Sequence, residues 1–483
     1  MRVLAVDAGT SSVRAVVADA GGRPLPGMVA RRQTDLSVGA DGRAELDPSA
    51  MLDLIGQCLD ELHDAGHLDG VTGVGLSCLW HAVVGVDGGF KPVTPLYTWA
   101  DTRATAAAAR LRARVADPDA FRRRTGTLPH NTYWTAKLAW LGERDGAGAR
   151  RWLGLSELLT AELLGDPSAS VSMASGTGLL DLARNDWDPE ALDLAGVDPG
   201  ALPPLAPRGW TGRLAPAARR RWPALAEATW LPALGDGAAA NLGTGCDRPG
   251  RAAVTIGTSA AIRVIGGAPD APLPRALWRY RVDHDRVITG AALSGGGNLY
   301  EWARAVLDLP GEEALEAALA AVPPGASGVT VLPFHAGARA PLDLAAGSGA
   351  VAGLSLSTTP VEILAATLTA TCFGLAAGYD ALATAGGGLA VVGSGGALLA
   401  SAWWQRTLAN VLGTPVHVLP EKEASARGAA LAASAAARDD ATAEATSEAA
   451  VGGRMVEPDD AAVDAEREAR NRYETLLARL EYK

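Results

Sequence analysis

One carboxylate is flanked by glycines near the middle of the chain, where residues 235–243 read Gly-Asp-Gly-Ala-Ala-Ala-Asn-Leu-Gly. The carboxylate belongs to Asp236, and the small residues around it allow backbone or a ligand to approach closely. Residues 253–263 then read Ala-Val-Thr-Ile-Gly-Thr-Ser-Ala-Ala-Ile-Arg, which predicts a strand, a tight turn and a second strand. Such a turn offers backbone N–H groups and two hydroxyls to a phosphate.

The same turn opens the chain. Residues 6–13 read Val-Asp-Ala-Gly-Thr-Ser-Ser-Val and align with residues 254–261. A motif that recurs about half a chain apart indicates two related halves that face each other. Two phosphate-holding turns with a lone aspartate near each, Asp7 and Asp236, would suit a nucleotide in the cleft between the halves. Either turn alone is more simply an ordinary hairpin, whereas the matched pair favours a binding function.

Two further glycine clusters precede predicted helices. Residues 294–297 read Ser-Gly-Gly-Gly before a helix predicted at 298–307. Residues 389–397 form a predicted buried strand that ends in Ser-Gly-Gly-Ala, before a helix predicted at 401–412. Glycines ahead of a helix N-terminus can bind an anion. An ordinary strand-to-helix turn has the same composition.

Aromatic and polar residues gather in three stretches of the N-terminal half. Trp80 and His81 interrupt a strand pair predicted within 71–86, and they either pack in the core or form the floor of a pocket. Asp101 either caps the helix predicted at 104–115 or serves a ligand. Residues 130–137 contain a histidine, a tyrosine, a tryptophan and a lysine, which suit either a sugar site or helix packing.

The composition is that of a globular protein. Of the 483 residues, 48% are apolar and 20% are charged, so two or three domains with large cores are expected. The net charge of −11 argues against nucleic-acid binding. The four cysteines lie far apart, which predicts buried thiols. The first residues enter a strand directly, without a signal peptide, and the apolar run 363–379 predicts a buried helix. We therefore expect a cytoplasmic protein.

Capping signals predict the helices that position these motifs. Asp47 precedes a helix predicted at 48–63, and Thr359-Pro-Val-Glu362 forms a capping box for a helix predicted to reach about residue 384. An alanine-rich helix is predicted at 423–437. Residues 439–464 are acidic and small, which predicts a mobile segment, and a helical pattern returns at 466–480.

In this order the motifs resemble the FGGY family of carbohydrate kinases. That family has the two-lobed actin/hexokinase/Hsp70 architecture, in which duplicated ribonuclease H-like α/β domains enclose a cleft. The resemblance runs almost end to end, and its specificity lies in the order of the pieces. The matching stretches are residues 7–12, 99–103, 174–181, 236–243, 255–259, 332–337, 393–396 and 424–430.

The resemblance implies a role for individual residues. Asp236 matches the catalytic base, and Asp7 matches the carboxylate near Mg²⁺. Asp236, together with the stretches that contain Trp80, His81 and Asp101, would line the sugar pocket. The positions that match ATP-binding turns and adenosine contacts are Thr10, Ser11, Gly257, Thr258, Gly297, Gly395, Gly396 and Ala397.

The most similar branch is the gluconokinase-like one, on the evidence of residues 236–243, 255–263 and 98–103. This implies ATP-dependent phosphorylation of a sugar or sugar acid. Trp80 stands where the branch usually has methionine, which bears on the substrate. A xylulokinase-like pentulose kinase is the alternative enzyme. A non-catalytic sugar sensor on the same fold is the alternative of another class, against which Asp7, Asp236 and both turns argue.

The implied organisation has three parts. Residues 1–232 would form the lobe that binds the sugar and holds the first phosphate turn, 233–438 the nucleotide-binding lobe, and 439–483 an acidic segment with a C-terminal helix. The expected partners are ATP and a small sugar or sugar acid, with neither nucleic acid nor membrane, and a homodimer is left open. If the substrate is gluconate, its carboxylate needs a cation, for which Arg103, Lys137, His81 and His130 are candidates by location.

Overall fold

The computed structural model describes residues 1–144, 148–325, 328–335, 337–338, 348–383, 388–420, 423–438 and 452–480. Its elements form two lobes, each built around one large sheet. We call β1–β13 with α1–α8 the first lobe, and the elements from α9 onward the second lobe.

The first lobe is a mixed α/β structure. Its strands are β1 (Arg2–Ala8), β2 (Ser12–Ala18), β3 (Pro24–Gln33), β4 (Ser37–Val38), β5 (Ala44–Leu46), β6 (Val71–Cys78), β7 (Val84–Val86), β8 (Leu96–Tyr97), β9 (Arg151–Leu153), β10 (Leu180–Asp181), β11 (Asp186–Trp187), β12 (Thr229–Trp230) and β13 (Leu234–Gly235). Its helices are α1 (Pro48–Asp64), α2 (Thr105–Arg114), α3 (Pro118–Thr125), α4 (Trp134–Gly142), α5 (Leu155–Leu164), α6 (Val171–Ser175), α7 (Pro189–Ala195) and α8 (Pro216–Arg221).

The second lobe follows without a long linker. Its strands are β14 (Arg251–Ile256), β15 (Ala260–Ile265), β16 (Trp278–Arg281), β17 (Val287–Leu293), β18 (Thr330–Leu332), β19 (Ala350–Ala352), β20 (Ala390–Ser394), β21 (Val416–Val418) and β22 (Arg454–Val456). Its helices are α9 (Asp236–Gly243), α10 (Gly297–Val306), α11 (Glu312–Ala321), α12 (Pro360–Ala383), α13 (Gly396–Ala400), α14 (Ala402–Leu412), α15 (Ala424–Arg438) and α16 (Asp460–Arg479).

The two large sheets have the same topology. In the first, β1 pairs antiparallel with β2 and parallel with β6, and the order is β12-β6-β1-β2-β3. In the second, β14 pairs antiparallel with β15 and parallel with β20, and the matching order is β21-β20-β14-β15-β17. The predicted duplicated, two-lobed actin/hexokinase/Hsp70-like fold is confirmed. The two Gly-Thr-Ser turns occupy equivalent places, between β1 and β2 and between β14 and β15.

The predicted caps hold two long helices in place. Asp47 accepts hydrogen bonds from the backbone N–H groups of Ser49 and Ala50 at the start of α1. At the start of α12, the N–H of Thr359 donates to Glu362 at 2.7 Å and the N–H of Glu362 donates to the Thr359 hydroxyl at 3.3 Å. Helix α12 is long and apolar enough to cross a membrane, but 67% of its most apolar window is buried inside the molecule. It is therefore a core helix, as predicted.

Helix α15 packs on the first lobe although it lies near the end of the chain. Glycines allow this contact, because a Cβ at Gly75 would lie 2.0 Å from the carbonyl oxygen of Ala429. On its other side, a Cβ at Gly428 would lie 1.8 Å from the carbonyl oxygen of Ala239 in α9. Helices α9 and α15 thus pack together at the junction of the lobes.

Three local predictions are wrong. Strands β6 and β7 are not paired with each other, because β6 pairs with β1 and β7 with β9. The N-cap of α2 is Ala104 without a side-chain hydrogen bond, so Asp101 is not a cap. The acidic segment is not mobile over its last part, because β22 pairs with β21 and α16 begins at Asp460.

Residues 439–451, also in the acidic segment, lie outside the described residues. The boundary at 232/233 stays a prediction, since β13 still pairs with the first sheet.

Candidate active site

A cavity of about 620 Å³ lies between the lobes and is lined by residues of both. The predicted site residues in its lining are Thr10, Trp80, His81, Asp236, Gly257 and Thr258. The other predicted residues, all of them described, lie outside the lining: Asp7, Ser11, Asp101, Gly297, Gly395, Gly396 and Ala397. The fold thus brings the first phosphate turn, the second phosphate turn and the candidate base to one cavity.

Asp236 is the first residue of α9, and its position depends on the glycines beside it. Its carboxylate accepts a hydrogen bond of 2.8 Å from the N–H of Gly237. The indole of Trp80 packs against this turn so closely that a Cβ at Gly235 would lie 1.8 Å from it, and one at Gly237 would lie 2.7 Å from it. The indole N–H donates to the carbonyl oxygen of Ser172 at 2.9 Å. The glycines around the carboxylate therefore make room for Trp80.

The surroundings of Asp236 change its acidity. Burial at the floor of the cleft raises the pKa of the Asp236 carboxyl. The N–H of Gly237 and the positive charge of Arg263 oppose this rise, and the negative charge of Asp7 adds to it. A raised pKa suits a carboxylate that must accept a proton and later release it.

The residues predicted to bind the nucleotide converge around the second turn. The N–H of Gly297 donates to the carbonyl oxygen of Gly257 at 2.7 Å, and a Cβ at Gly297 would lie 3.2 Å from that of Ala397. Gly395 has a φ of +99° and passes close to Ile256, so a side chain there would be strained. A Cβ at Gly257 or Gly396 would meet open space. Backbone N–H groups at this turn can therefore be approached by a phosphate.

Asp7 is buried beside Arg14 and Ser77. It is in β1, its carboxylate pairs with Arg14 at 3.2 Å, and burial raises its pKa while Arg14 opposes the rise. Ser77 stands opposite Asp7 in the β1–β6 register, and its side chain lowers the pKa of the Asp7 carboxyl more than Arg14 does, whereas the hydroxyl of Ser12 is buried without a hydrogen-bond partner. No cluster of three metal-ligating side chains occurs in the part of the chain that the structure describes. Mg²⁺ needs only one or two carboxylates beside phosphate oxygens and water, so Asp7 fits that ion.

Aromatic side chains from both lobes form the other end of the cavity. Trp278 and Tyr280, on β16, stack with ring centres 4.3 Å apart and face Trp80 and Tyr133 of the first lobe. The hydroxyls of Tyr133 and Tyr280 are hydrogen-bonded at 2.7 Å. Sequence reasoning missed the second-lobe pair. Its only signal was a tryptophan and a tyrosine two positions apart in a strand, which places them on one face.

Two histidines in the lining have different tautomers. His81 has a left-handed φ of +70°, a strained conformation of the kind found at functional sites, and its Nδ1 bonds the carbonyl oxygen of Gly176. That Nδ1 must therefore carry the proton. The Nδ1 of His130 accepts a hydrogen bond from the N–H of Thr132 at 3.2 Å, so its neutral form carries the proton on Nε2.

Of the cations considered for a substrate carboxylate, two are used elsewhere. The Arg103 guanidinium pairs with Asp101 and Glu45, and the Asp101 carboxylate also accepts the N–H of Ala44 at 3.1 Å. The Lys137 ammonium is buried and donates to three backbone carbonyls. Neither Arg103 nor Lys137 lines the cavity, whereas His81 and His130 do.

Arginines that the sequence did not single out line the cavity instead. The described lining contains four of them, Arg112, Arg122, Arg263 and Arg275, with the carboxylates of Asp119 and Asp236. Arg122 already donates to the carbonyl oxygens of three residues between 273 and 277. Arg275 is exposed and forms no ion pair with any residue that the structure describes. The site therefore suits a substrate with negative charge.

Known proteins share both lobes and their order. The FGGY family of carbohydrate kinases matches with its N-terminal domain at residues 2–243 and with its C-terminal domain at residues 252–437. A gluconokinase of Bacillus subtilis (strain 168) is 28% identical over 377 residues, which cover 75% of this chain and 73% of that protein. A xylulose kinase of Streptomyces rubiginosus is 29% identical over 445 residues, which cover 89% of this chain and 86% of that protein. The crystal structure of gluconate kinase from Lactobacillus acidophilus has the same fold, with a TM-score of 0.89 at 22% identity over 99% of this chain and 98% of that one.

The duplicated lobes and the cleft residues define a two-lobed phosphotransferase. The chain belongs to the FGGY family of carbohydrate kinases. It is accordingly a carbohydrate kinase, a class of enzyme in which ATP is the expected phosphate donor and an alcohol group of a sugar is the acceptor.

Proposed function

We propose that this enzyme phosphorylates a sugar acid, in the manner of a gluconokinase, with Asp236 as general base. The observation that carries the proposal is the single cavity in which Asp236, both Gly-Thr turns and four arginines meet. Asp236 accepts the hydroxyl proton while the substrate oxygen attacks the γ-phosphorus of ATP. The bond from that phosphorus to the β-phosphate oxygen breaks, and ADP leaves.

The nucleotide is held by backbone groups in this proposal. Thr10 and Ser11 in the first turn and Thr258 in the second donate to the phosphates. Gly257, whose N–H donates to the carbonyl oxygen of Ser259, leaves open space for the phosphate beside it. Gly297 with residues 395–397 lies against adenosine and ribose. Asp7, with Ser77 opposite it on the neighbouring strand, would hold Mg²⁺. When bound, that ion neutralises charge on the phosphates. Trp80 and His81 form the substrate pocket. Asp101, which pairs with Arg103 outside the cavity lining, stays a proposed substrate residue.

The choice of a sugar acid rests on the charge of the cavity. Arginines outnumber carboxylates in its described lining, and a neutral ketose needs no such excess. Among relatives, the Bacillus subtilis protein named gluconokinase supports this choice, and the Streptomyces rubiginosus protein named xylulose kinase supports the alternative. A sensor without catalysis is the less supported alternative, because Asp236 and both turns are present.

The test is ADP release from Mg·ATP by the purified protein with gluconate, xylulose, ribulose or glycerol. Gluconate is expected to stimulate release most strongly. Stimulation by a neutral ketose alone would overturn the sugar acid and keep the kinase. If every acceptor failed while a sugar acid still bound in calorimetry, the sensor would replace the enzyme.

We also propose the organisation that surrounds this activity. Residues 1–232 supply the sugar side and the first phosphate turn, 233–438 the nucleotide side, and 439–483 a C-terminal extension. The enzyme works in the cytoplasm on small molecules, without nucleic acid or membrane, in accordance with its net charge of −11 and its buried apolar helix. Sedimentation would decide whether it is a homodimer.

A further inference from the structure

Arg263 lies beside the candidate base and is itself almost buried. It is in β15, with 8% of its surface exposed, and it lines the cavity. Its side chain runs alongside Gly237, since a Cβ built there would lie 3.4 Å from the Arg263 Cδ. The guanidinium therefore sits next to the turn that carries Asp236.

Two side chains fix the guanidinium. Its Nε donates to Asn241 Oδ1 at 3.1 Å, and its Nη2 donates to the hydroxyl of Thr255 at 2.9 Å. The amide of Asn241 is oriented in turn, because its Nδ2 donates to the backbone carbonyls of Cys246 and Arg263. Asn241 is in the helix that begins with Asp236, and Thr255 is in the strand that leads to Gly257. Arg263 thus joins the base helix to the second phosphate turn.

Asp236 interacts electrostatically with this arginine but is not in ion-pair contact with it. No ion pair within 4 Å involves Arg263 in the part of the chain that is described, although buried cations are usually paired. Its Nη1 makes no hydrogen bond to a described residue, and this atom is accessible to solvent. Nη1 therefore opens on the cavity, where an anionic oxygen can reach it.

We propose that Arg263 donates from Nη1 to the phosphoryl group as it passes from ATP to the substrate, and is thus a catalytic residue of this transfer. In that step the bond between the γ-phosphorus and the β-phosphate oxygen breaks, a bond to the substrate oxygen forms, and the hydroxyl proton moves to Asp236. The position between Asp236 and the Gly257 turn is the place of the transferring group. This inference rests on the proposed function.

Arg263 would bind an anionic oxygen, and two ligands could supply it. One is the transferring phosphoryl group, and the other is a carboxylate of the substrate. The position favours the phosphoryl group, because the hydroxyl that reacts would lie at Asp236, whereas Arg275, elsewhere in the lining, is exposed and can meet a carboxylate. The two sources predict different kinetics. A phosphoryl contact changes kcat, and a carboxylate contact changes the KM of the acceptor.

The experiment compares Arg263→Met and Arg263→Lys with Arg251→Met. Arg251 is a matched control on the adjacent β14, outside the cavity lining, where its guanidinium donates to the carbonyl of Gly245. For Arg263→Met we expect kcat to fall by about 10²–10³-fold, as for other lost transition-state donors, with the KM of the acceptor changed less than about threefold. Arg263→Lys should recover part of the rate, and Arg251→Met should keep it.

A binding measurement separates catalysis from a structural role. ADP with aluminium fluoride and acceptor mimics the transferring group, so Arg263→Met should weaken its binding by about 10²-fold while binding of ADP alone is kept. Equal loss for ADP and the mimic would show that Arg263 only supports the fold. A raised acceptor KM with normal kcat would assign Arg263 to a substrate carboxylate instead. If Asp236→Asn is inactive and Arg263→Met is normal, this inference fails and the proposed function stands.

Discussion

Single residues in the cleft are set by partners that come from distant parts of the chain. Trp80 of the first lobe packs against the glycines on both sides of Asp236, and the charge of Arg263 in the second lobe affects the pKa of Asp236. The sequence predicts that something packs closely on the glycines around Asp236, but it cannot identify Trp80, because the contact depends on how two lobes are joined. For the same reason the arginines of the cavity escape prediction, whereas the hairpin turns do not.

The first prediction concerns the base. Asp236→Asn removes the proton acceptor but keeps the shape of the turn, so kcat should fall by about 10²–10⁴-fold, while ATP affinity is nearly kept. Steady-state kinetics and nucleotide calorimetry measure the two effects. Asp60→Asn, at a surface pair with Arg221, is the control and should leave both unchanged. Near-normal turnover by Asp236→Asn would remove it from the mechanism.

A second prediction concerns the substrate carboxylate. Arg275 is exposed at the cavity without an ion-pair partner among the described residues, and it is close enough to Arg122 to affect the pKa of that residue. Arg275→Ala should raise the KM for gluconate by about 10-fold or more, the value of a lost charged hydrogen bond, and leave the KM for ATP unchanged. Arg286→Ala removes an exposed arginine of the same lobe and serves as the control. An unchanged gluconate KM would direct the search to Arg112.

Elements were easier to predict than contacts, because caps and turns are local. Asp47, Thr359 and Glu362 predicted two helix starts, and the two hairpins follow from Gly-Thr-Ser between apolar runs. The β22 strand was missed, because a three-residue strand in a polar segment forms only when another strand, here β21, pairs with it. The part of β16 in the site was missed for a similar reason. This strand lies at the edge of the second sheet, so its place depends on pairing with β17.

The docking of α16 on the second lobe should depend on pH. Burial raises the pKa of Glu466 from 4.5 to about 7, with Arg472 opposing the rise. The folded state then holds the proton more tightly than the unfolded state, so this stabilisation is full below the ordinary pKa and is lost as pH rises through the folded pKa. The loss is on the order of 3 kcal/mol.

Glu466→Gln should therefore reduce the fall of Tm between about pH 4.5 and about pH 7. Thermal melting of the wild type and the variant measures this difference. Glu474→Gln, an exposed neighbour on α16 paired with Arg470, should keep the wild-type slope. Identical slopes for wild type and Glu466→Gln would show that Glu466 is not the titrating group.

The whole molecule is two lobes fastened at defined points around a cleft. Arg122 of the first lobe donates to carbonyl oxygens between residues 273 and 277 of the second, and the N–H of Arg279 donates to the carbonyl of Gly126 at 3.0 Å. On the other side, α15 of the second lobe packs on β6 and β1 of the first lobe. We expect closure over the substrate, which would exclude water from the transferring phosphate, to take place between these points.

Weakening one of these contacts between the lobes should admit water to the cleft. Arg122→Met leaves buried carbonyls unpaired and should lower Tm by several degrees, while raising ADP release without acceptor relative to the release with acceptor. Arg208→Met breaks the exposed lobe-to-lobe pair with Asp285 and is the matched control, because exposed pairs contribute little. If both variants behave as wild type, the Arg122 contact does not govern closure.

The reach of α15 across to the first sheet also affects how the protein is made. Val3, Ala5, Val16 and Ala18 pack on alanines of α15, which the ribosome synthesises more than four hundred residues after Val3. During translation the first sheet therefore emerges with this apolar face uncovered, and it stays uncovered until nearly the whole chain is complete. Exposed apolar surface of this kind is prone to aggregate, so we expect the nascent first lobe to be prone to aggregation until α15 has been synthesised.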